Sequence, residues 1–560
     1  MSERKMNGAE AVVAFLQEKG VDPIFGYPGG PVLVLYEAFY NANFPHLLTR
    51  HEQGAVHAAE GYAKSTGRPG VVVATSGPGA TNLVTGIADA YLDSVPILAI
   101  TGNVALPYIG TDAFQEADIT GITMPIMKYN YLVTRIEDLL PILEEAYNLT
   151  TDGRPGPVGV NIPKDLLAAT LPGSFEDAMA RARVGRTQRH RPPRKQTEGV
   201  LEPVLEALRK AHRPLLLVGG GVTASPGATE ELARFVDRTG LPVSSTLMGK
   251  GCVPESRPEA LGMCGMHGLP QSNIALGRCD LLLAVGCRFS DRITGDPRQF
   301  NAANATAKKR FIIHVDIDPA EIGKNIKTDI EIEDDAAVFF RTLLARLDAL
   351  GPQFTPDWSE WKAELRGIHD KYERLKEKQR AESAHRLIPQ TVIRRVAEAE
   401  AALGRHPVVV TDVGQHQMFA AQHYPISDPR SFLTSGGLGT MGFGLPAAIG
   451  GAVAHKDRDT VLFVGDGGLQ MTIQELGTLQ CLNLPVKIFV MDNAALGMVR
   501  QWQELFFHGH YSHSILCNNP DFPMVARAYG IPGGRADSPE SFEAELAKAM
   551  LSIPATKGFE

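Results

Sequence analysis
The sequence predicts an α/β protein built from three doubly wound parallel-sheet domains, and three observations predict it. Short apolar runs recur along the chain, at 70–74, 95–101, 214–218, 280–285, 311–315, 407–411, 460–464 and 485–491. Apolarity within each run is continuous rather than alternating, which suits strands covered on both faces, and helical patterns separate them. The length of 560 residues exceeds what a single hydrophobic core grows to. Two stretches break the rhythm: 181–198, basic and carrying Pro192-Pro193, and 351–386, charged and poor in β-branched residues. Both read as linkers, the second helical through 361–381. The expected domains are 1–182, 199–350 and 387–560, with linkers at 183–198 and 351–386.

Composition narrows the function classes. Hydrophobic residues make up 44% and charged residues 21%, an ordinary globular balance rather than a disordered or fibrous one. The formal net charge of -8 lacks the basic excess of a nucleic-acid surface, so no nucleic-acid partner is expected. No apolar run reaches the ~18 residues of a membrane span, and the first ten residues carry charges without the apolar core of a secretory signal. No membrane partner is expected. Six cysteines, Cys252, Cys264, Cys279, Cys287, Cys481 and Cys517, form no CxxC pair. They read as reduced thiols in a cytoplasmic protein.

The motif that carries chemistry follows the run 460–464. Gly465-Asp466-Gly467-Gly468 stands there, just before a helical stretch at 469–480. Glycines in such a turn let backbone amides approach a phosphate at a helix N-terminus, and Asp466 is a hard oxygen ligand for magnesium. Taken alone, an ordinary glycine turn fits equally well. The next run, 486–491, ends in Asp492-Asn493. Two adjacent strand ends can thus offer Asp466 and Asn493 to one cation, with a backbone carbonyl near Ala495 as third ligand.

This arrangement resembles the signature of thiamine diphosphate enzymes, a Gly-Asp-Gly followed a couple of dozen residues later by an Asn or Asp-Asn pair. The continuation Leu496-Gly497-Met498-Val499-Arg500-Gln501-Trp502-Gln503 resembles acetolactate synthase large subunits. The resemblance implies a pyrimidine-binding, a central FAD-binding-like and a diphosphate-binding domain. It places Gly465, Asp466, Gly467, Gly468, Asn493, Gly497, Met498 and Val499 at the diphosphate, with Mg2+ on Asp466, Asn493 and Ala495. Val413-Gly414-Gln415-His416 resembles the segment that reaches the diphosphate, and 436–442 the loop that puts Gly439 and Met441 at the thiamine.

Thiamine chemistry needs one carboxylate against the aminopyrimidine. The candidate is Glu52, in Arg50-His51-Glu52-Gln53-Gly54, which with Ala58-Ala59-Glu60-Gly61-Tyr62-Ala63 resembles the pyrimidine-domain segment. Gly26-Tyr27-Pro28-Gly29-Gly30 resembles the loop beside the reactive carbon, bringing in Pro28 and Gly29. The segment 75–82 resembles the loop near the pyrimidine. Gly110-Thr111-Asp112-Ala113-Phe114-Gln115-Glu116 and Ile162-Pro163-Lys164-Asp165 resemble further active-site segments, so Phe114, Gln115 and Lys164 join the catalytic set.

Between the linkers, Gly219-Gly220-Gly221 follows the run 214–218. With Thr246-Leu247-Met248, Met266-His267, Gly286, Arg288, Arg292 and Asp316-Ile317 it resembles the FAD segments of biosynthetic acetolactate synthases. A flavin there is structural, because joining two keto acids after decarboxylation moves no net electrons. The implied reaction decarboxylates pyruvate and joins the two-carbon unit to pyruvate or 2-ketobutyrate, with Arg292, Trp502 and Met266 on the acceptor side. The implied assembly is a homodimer or homotetramer with active sites at the subunit interface, and a regulatory small subunit is compatible with it.

Three departures from the pattern stand out. Gly468 replaces a common Ser, removing one hydroxyl donor to the diphosphate, and Ser290 replaces a usual Asp beside Asp291-Arg292. The chain stops at Glu560, where the family continues with a final strand and tail, so a truncated chain or a different closure of the site is expected. Other readings stay open at this point: a flavin-reducing thiamine enzyme such as a pyruvate oxidase, a nicotinamide dehydrogenase using 219–221 and Asp316, or a non-catalytic binding protein on the same scaffold.

Overall fold
The computed structural model describes residues 5–186, 196–301, 310–354 and 356–551. Most of the first expected linker, 187–195, lies outside them, as does the C-terminal end from 552 on.

Each of the eight runs read as strands forms one, its ends moved by at most two residues. The first sheet comprises β1 (Ile24–Tyr27), β2 (His46–Leu48), β3 (Gly70–Ala74), β4 (Ile97–Asn103), β5 (Tyr129–Leu132) and β6 (Pro157–Pro163), in the order β2-β1-β3-β4-β6-β5. The second holds β7 (Pro214–Val218), β8 (Val243–Ser245), β9 (Ala260–Met263), β10 (Leu281–Val285), β11 (Phe311–Asp316) and β12 (Ile330–Glu333), in the order β12-β11-β10-β7-β8-β9. The third holds β13 (Val408–Thr411), β14 (Phe432–Leu433), β15 (Thr460–Gly465) and β16 (Val486–Met491), in the order β14-β13-β15-β16. The pairings within the first two sheets, and β13 with β15 with β16, are parallel.

Eight strands carry no plain apolar run in the sequence. Five of them, β2, β5, β9, β12 and β14, are edge strands, where one side meets water and polar residues are tolerated. β6 is central and fully buried, but Pro157, Gly159 and Asn161 interrupt its apolarity. β1 runs through Gly26 and Tyr27, which read as the start of a loop; its ladder with β3 continues to Tyr27 opposite Ala74.

The described chain forms two compact units. One comprises residues 1–191, 407–414 and 433–533, and so holds the first sheet with most of the third. The other comprises 192–406, 415–432 and 534–560. In the first unit, helix Glu52–Thr66 packs on helix Gly444–Ala454, the latter buried along nearly its whole length. The two backbones touch. A Cβ on Gly61 would collide with the Ala447 carbonyl, and one on Gly450 with the Ala58 carbonyl. The run of Ala and Gly on both helices is what allows this approach, and it joins the N-terminal sheet to the C-terminal one.

In the second unit, the stretch 351–386 carries helix Ser359–Glu382, longer than the helix expected there. It is charged because most of its circumference faces solvent, yet Trp361 and Leu365 are buried in one cluster with Leu282 and Ala284 of β10. The Trp361 indole N–H donates to the Pro214 carbonyl at 3.0 Å.

Candidate active site
Most candidate segments of the first unit fall just past the carboxyl end of a parallel strand. In open α/β sheets the binding crevice lies outside those ends, where the strand order reverses. In the first sheet the order reverses between β1 and β3. Gly29, after β1, and Thr75, after β3, meet there: a Cβ on Gly29 would stand 2.5 Å from Thr75 Cγ2. Pro28 precedes it, exposed.

Glu52 opens helix Glu52–Thr66 behind the cap His51, whose Nδ1 accepts the Gln53 N–H at 3.1 Å. Its carboxylate is buried, and Asn82 donates its side-chain N–H to Oε2 at 3.0 Å. Gly79 leaves the room: a Cβ there would lie 3.2 Å from Glu52 Oε1. Asn82 lay inside the expected pyrimidine loop, but no sequence signal marked it as the partner of Glu52. Tyr36 also feels this carboxylate, its hydroxyl held above its usual pKa by burial and then by the Glu52 charge.

The loop 110–116 reaches the same neighbourhood through its backbone. Gly77, at φ +60°, packs so closely on Gln115 that a Cβ would sit 2.7 Å from the Gln115 carbonyl oxygen. Phe114 beside it is 88% exposed, and Lys164 is exposed at the start of helix Lys164–Ala168.

On the third sheet the order reverses between β13 and β15. The register pairs Gly465 of β15 with Met491 of β16, so Asp466 and Asp492-Asn493 leave adjacent strands side by side. Asp466 is 2% exposed. Burial raises its pKa, against the pull of Asn519, which donates to Asp466 Oδ2 at 2.7 Å and to Asp492 Oδ1 at 2.9 Å. Asn493 Oδ1 accepts the Ala495 N–H at 3.1 Å, a local turn that sets its side chain at the strand end. Asn519 was missed, being remote from the motif with no pattern of its own. The donor set of carboxylate and amide oxygens suits Mg2+, and Asn519 holds the carboxylate that would bind it.

Around this corner, Met441 comes within reach of Gly467, where a Cβ would lie 3.5 Å from Met441 Cε. Gly439, at φ +74°, has nothing closer than Val413 Cγ1, 3.9 Å from a Cβ built on it. That open glycine backbone fits a flat ring laid against it, which is a second observation in favour of the cofactor. Gly414 ends the 407–414 segment of the first unit; Gln415 and His416 begin helix Gln415–His423 in the second, with His416 buried. Gly497, Met498 and Val499 open helix Gly497–Phe506, which also carries Trp502, 46% exposed.

The space beside Gly468 is taken. A Cβ there would collide with Asp412 Oδ1, and Asp412 is pinned by the N–H groups of Val413 at 2.7 Å, Gly442 at 2.9 Å and Gly444 at 2.8 Å. Burial lifts its carboxyl to about 6 against those donors. The missing Ser hydroxyl thus corresponds to a position where this chain has no room for a side chain.

In the second unit, the order of the sheet reverses between β7 and β10. Gly219-Gly220-Gly221 after β7, Thr246-Leu247-Met248 after β8, Gly286 and Arg288 after β10, and Asp316-Ile317 after β11 all line its carboxyl edge. Gly219 and Gly221 serve contact with Gly286: a Cβ on Gly221 would lie 2.6 Å from Gly286 Cα, and the Gly221 N–H donates to the Gly286 carbonyl at 3.1 Å. A Cβ on Gly220 would lie 3.0 Å from Met248 Cβ. Asp316 is buried and accepts the Asp318 N–H at 2.9 Å. Met266, His267 and Arg292 form a separate group: the Met266 N–H donates to the Arg292 carbonyl at 2.7 Å, and Arg292 Nη1 lies 2.9 Å from Met266 Sδ. Burial, then Arg292, holds His267 below its usual pKa.

Comparison with known proteins agrees with this layout. Three family descriptions match: thiamine pyrophosphate enzyme, N-terminal TPP binding domain over residues 6–122, central domain over 201–343, and C-terminal TPP binding domain over 412–559. The chain is 45% identical to the acetolactate synthase isozyme 2 large subunit of Escherichia coli, covering 98% of this chain and 94% of that one. It is 43% identical to the acetolactate synthase large subunit of Lactococcus lactis (97% and 90%) and 45% identical to an acetolactate synthase of Mycobacterium bovis (96% and 85%). Parallel sheets, strand-end motifs and near full-length identity converge: the chain belongs to the thiamine pyrophosphate enzymes and, among them, to the acetolactate synthase large-subunit family.

Proposed function
We propose that this chain is the catalytic large subunit of an acetolactate synthase, taking pyruvate as donor and pyruvate or 2-ketobutyrate as acceptor. The observation that carries the reading is the register of β15 with β16, which sets Asp466 beside Asp492 and Asn493 at the two strand ends. Bound thiamine diphosphate supplies the electron sink that lets pyruvate lose carbon dioxide. Glu52 holds the proton at the aminopyrimidine nitrogen, and Asn82 keeps its carboxylate aimed. Asp466, Asn493 and the Ala495 carbonyl hold Mg2+ on the diphosphate. Gly439 and Met441 shape the seat of the rings, while Gly29, Phe114, Gln115 and Lys164 border the reacting substrate.

The segments at the carboxyl edge of the second sheet hold a structural FAD in this proposal, and Arg292 receives the acceptor carboxylate as a two-point guanidinium fork. The domains divide at 1–182, 199–350 and 387–560. Two copies make the smallest active assembly, either as a dimer or within a tetramer, and a regulatory small subunit binds in addition. Six cysteines, none of them in a disulfide, suit the reducing cytoplasm.

The test mixes protein, thiamine diphosphate, Mg2+, FAD and pyruvate, then scores acetoin after acidification. Acetolactate formation with FAD oxidised throughout supports the reading; anaerobic bleaching of the flavin by pyruvate at the turnover rate overturns it in favour of an oxidase.

A further inference from the structure
The loop 434–440, which the proposed function places at the thiamine rings, is gripped by a buried polar cluster that no catalytic role uses. Helix Val84–Asp93 presents Asp89 and Asp93 one turn apart on one face. The side chain of Asp93 is fully buried, with its Oδ2 accepting the Gly436 N–H at 3.0 Å and its Oδ1 the Gly437 N–H at 2.7 Å. Asp89 works through one intermediary. The Ser435 hydroxyl donates to Asp89 Oδ1 at 2.5 Å, and Ser435 Oγ itself accepts the N–H groups of Gly439 at 3.1 Å and Thr440 at 2.9 Å. Lys64 closes the cluster, donating to Asp93 Oδ2 at 2.6 Å and to the Thr434 carbonyl at 2.5 Å. Five backbone groups of the loop are therefore held by side chains from its own chain.

The positive charge of Lys64 acts on Asp93, Asp89 and Glu60, and burial raises the pKa of Glu60 and of Asp89. His57, Glu60 and Asp89 offer ligand atoms within 4.8 Å of one another, but the ammonium already answers their charge. What remains unexplained by folding alone is the direction of the bonds: Asp93 directly, and Asp89 through Ser435, fix amides on either side of Leu438.

We propose that Asp89 and Asp93 are positioning residues for the cofactor, acting through Ser435 and the loop amides to preset Gly439 and Met441 before thiamine diphosphate arrives. This rests on reading 436–441 as the thiamine loop. A preset loop spends no binding energy on being ordered, so the first consequence is on cofactor affinity and only the second on turnover.

The experiment uses the full chain, with and without thiamine diphosphate and Mg2+. Ser435→Ala removes the bridge and no charge; Ser435→Thr keeps a hydroxyl. Expected for Ser435→Ala are amide exchange in the peptide 433–442 at least about tenfold faster without cofactor, and thiamine diphosphate affinity lower by roughly tenfold, with Ser435→Thr restoring most of both. Asp93→Asn should loosen the same peptide. If that variant fails to fold because Lys64 loses its acid, Ser435→Ala decides. Unchanged exchange in Ser435→Ala, or faster exchange with unchanged affinity, overturns the inference. A wild type that binds no thiamine diphosphate overturns the reading of the loop itself, and it is told apart because the exchange difference then persists with no affinity to lose.

Discussion

Both carboxylate oxygens of Glu475 accept the backbone N–H of Arg50, at 3.0 and 3.2 Å, two residues before Glu52. Glu475 is buried and also accepts the Thr478 hydroxyl at 2.7 Å, and burial lifts its pKa. The C-terminal sheet region thereby grips the turn that presents Glu52. Glu475→Ala leaves the part-buried Arg50 N–H and the Thr478 hydroxyl without their acceptor and should cost about 1–3 kcal/mol of stability, with a fall in kcat. Glu475→Gln keeps an acceptor and should recover most of both. Thermal midpoints and initial rates of the two variants check this; equal behaviour of Ala and Gln would refute it.

Glu52 and Asp466 should fail in different ways. Glu52→Gln keeps an acceptor for Asn82 but not the acid, so turnover should drop by at least ~100-fold with thiamine diphosphate still bound. Asp466→Ala should instead lose the Mg2+-dependent part of cofactor affinity, since in the proposed site this carboxylate would hold the cation. Parallel cofactor titrations and rate assays separate the two, and near-normal turnover in Glu52→Gln would remove it from the chemistry.

Trp502 stacks edge-on against Phe506 with ring centroids 6.5 Å apart and stays half exposed, as a contact surface for an acceptor requires. One methylene in an apolar site is worth roughly 1–3 kcal/mol. Trp502→Leu should therefore lose most of any preference for 2-ketobutyrate over pyruvate while keeping acetolactate formation. A competition at fixed pyruvate and varied 2-ketobutyrate reads this directly; a retained product ratio would show that the indole is not the discriminator.

Neighbouring glycines of helix Gly444–Ala454 should respond to a methyl group to very different degrees. At Gly450 the Cβ meets the Ala58 backbone, which cannot yield, whereas at Gly451 it meets Leu433 Cδ1 at 3.1 Å and Val408 Cγ1 at 3.3 Å, side-chain ends that can shift. Gly450→Ala should destabilise by at least about 2 kcal/mol and Gly451→Ala by much less, measured by denaturant midpoint.

Burial, then the Lys64 charge, holds His57 neutral with its pKa down to about 3. The unfolded chain takes up that proton near 6.5, so between about pH 6.5 and 3 unfolding binds one proton more and stability falls as pH falls. His57→Leu should show an acid limb shallower by about one proton, near 1.4 kcal/mol per pH unit. Urea midpoints at pH 7 and pH 5 for both proteins test it; parallel limbs would mean that His57 is charged in the fold.

Some of this molecule is local and was therefore legible. Continuous apolar runs mark mostly central strands because burial on both faces leaves no room for polar alternation, and Asp466 and Asn493 follow two of these runs, whereas Glu52 follows the short edge strand β2. The chain order also carries the three-domain α/β class. Asn82, Asn519, Glu475, Asp89 and Asp93 were not legible in their roles. Each acts on a partner 30 to 425 residues away, and a single Asp or Asn on a helix or loop has no periodicity to announce such a partner. The Gly61–Ala447 and Gly450–Ala58 contacts were hidden for the same reason: small residues on a helix are compatible with many packings. Local propensity and strand burial are written in neighbouring residues, whereas the choice of which helix face meets which loop is settled only when the whole chain closes on its core.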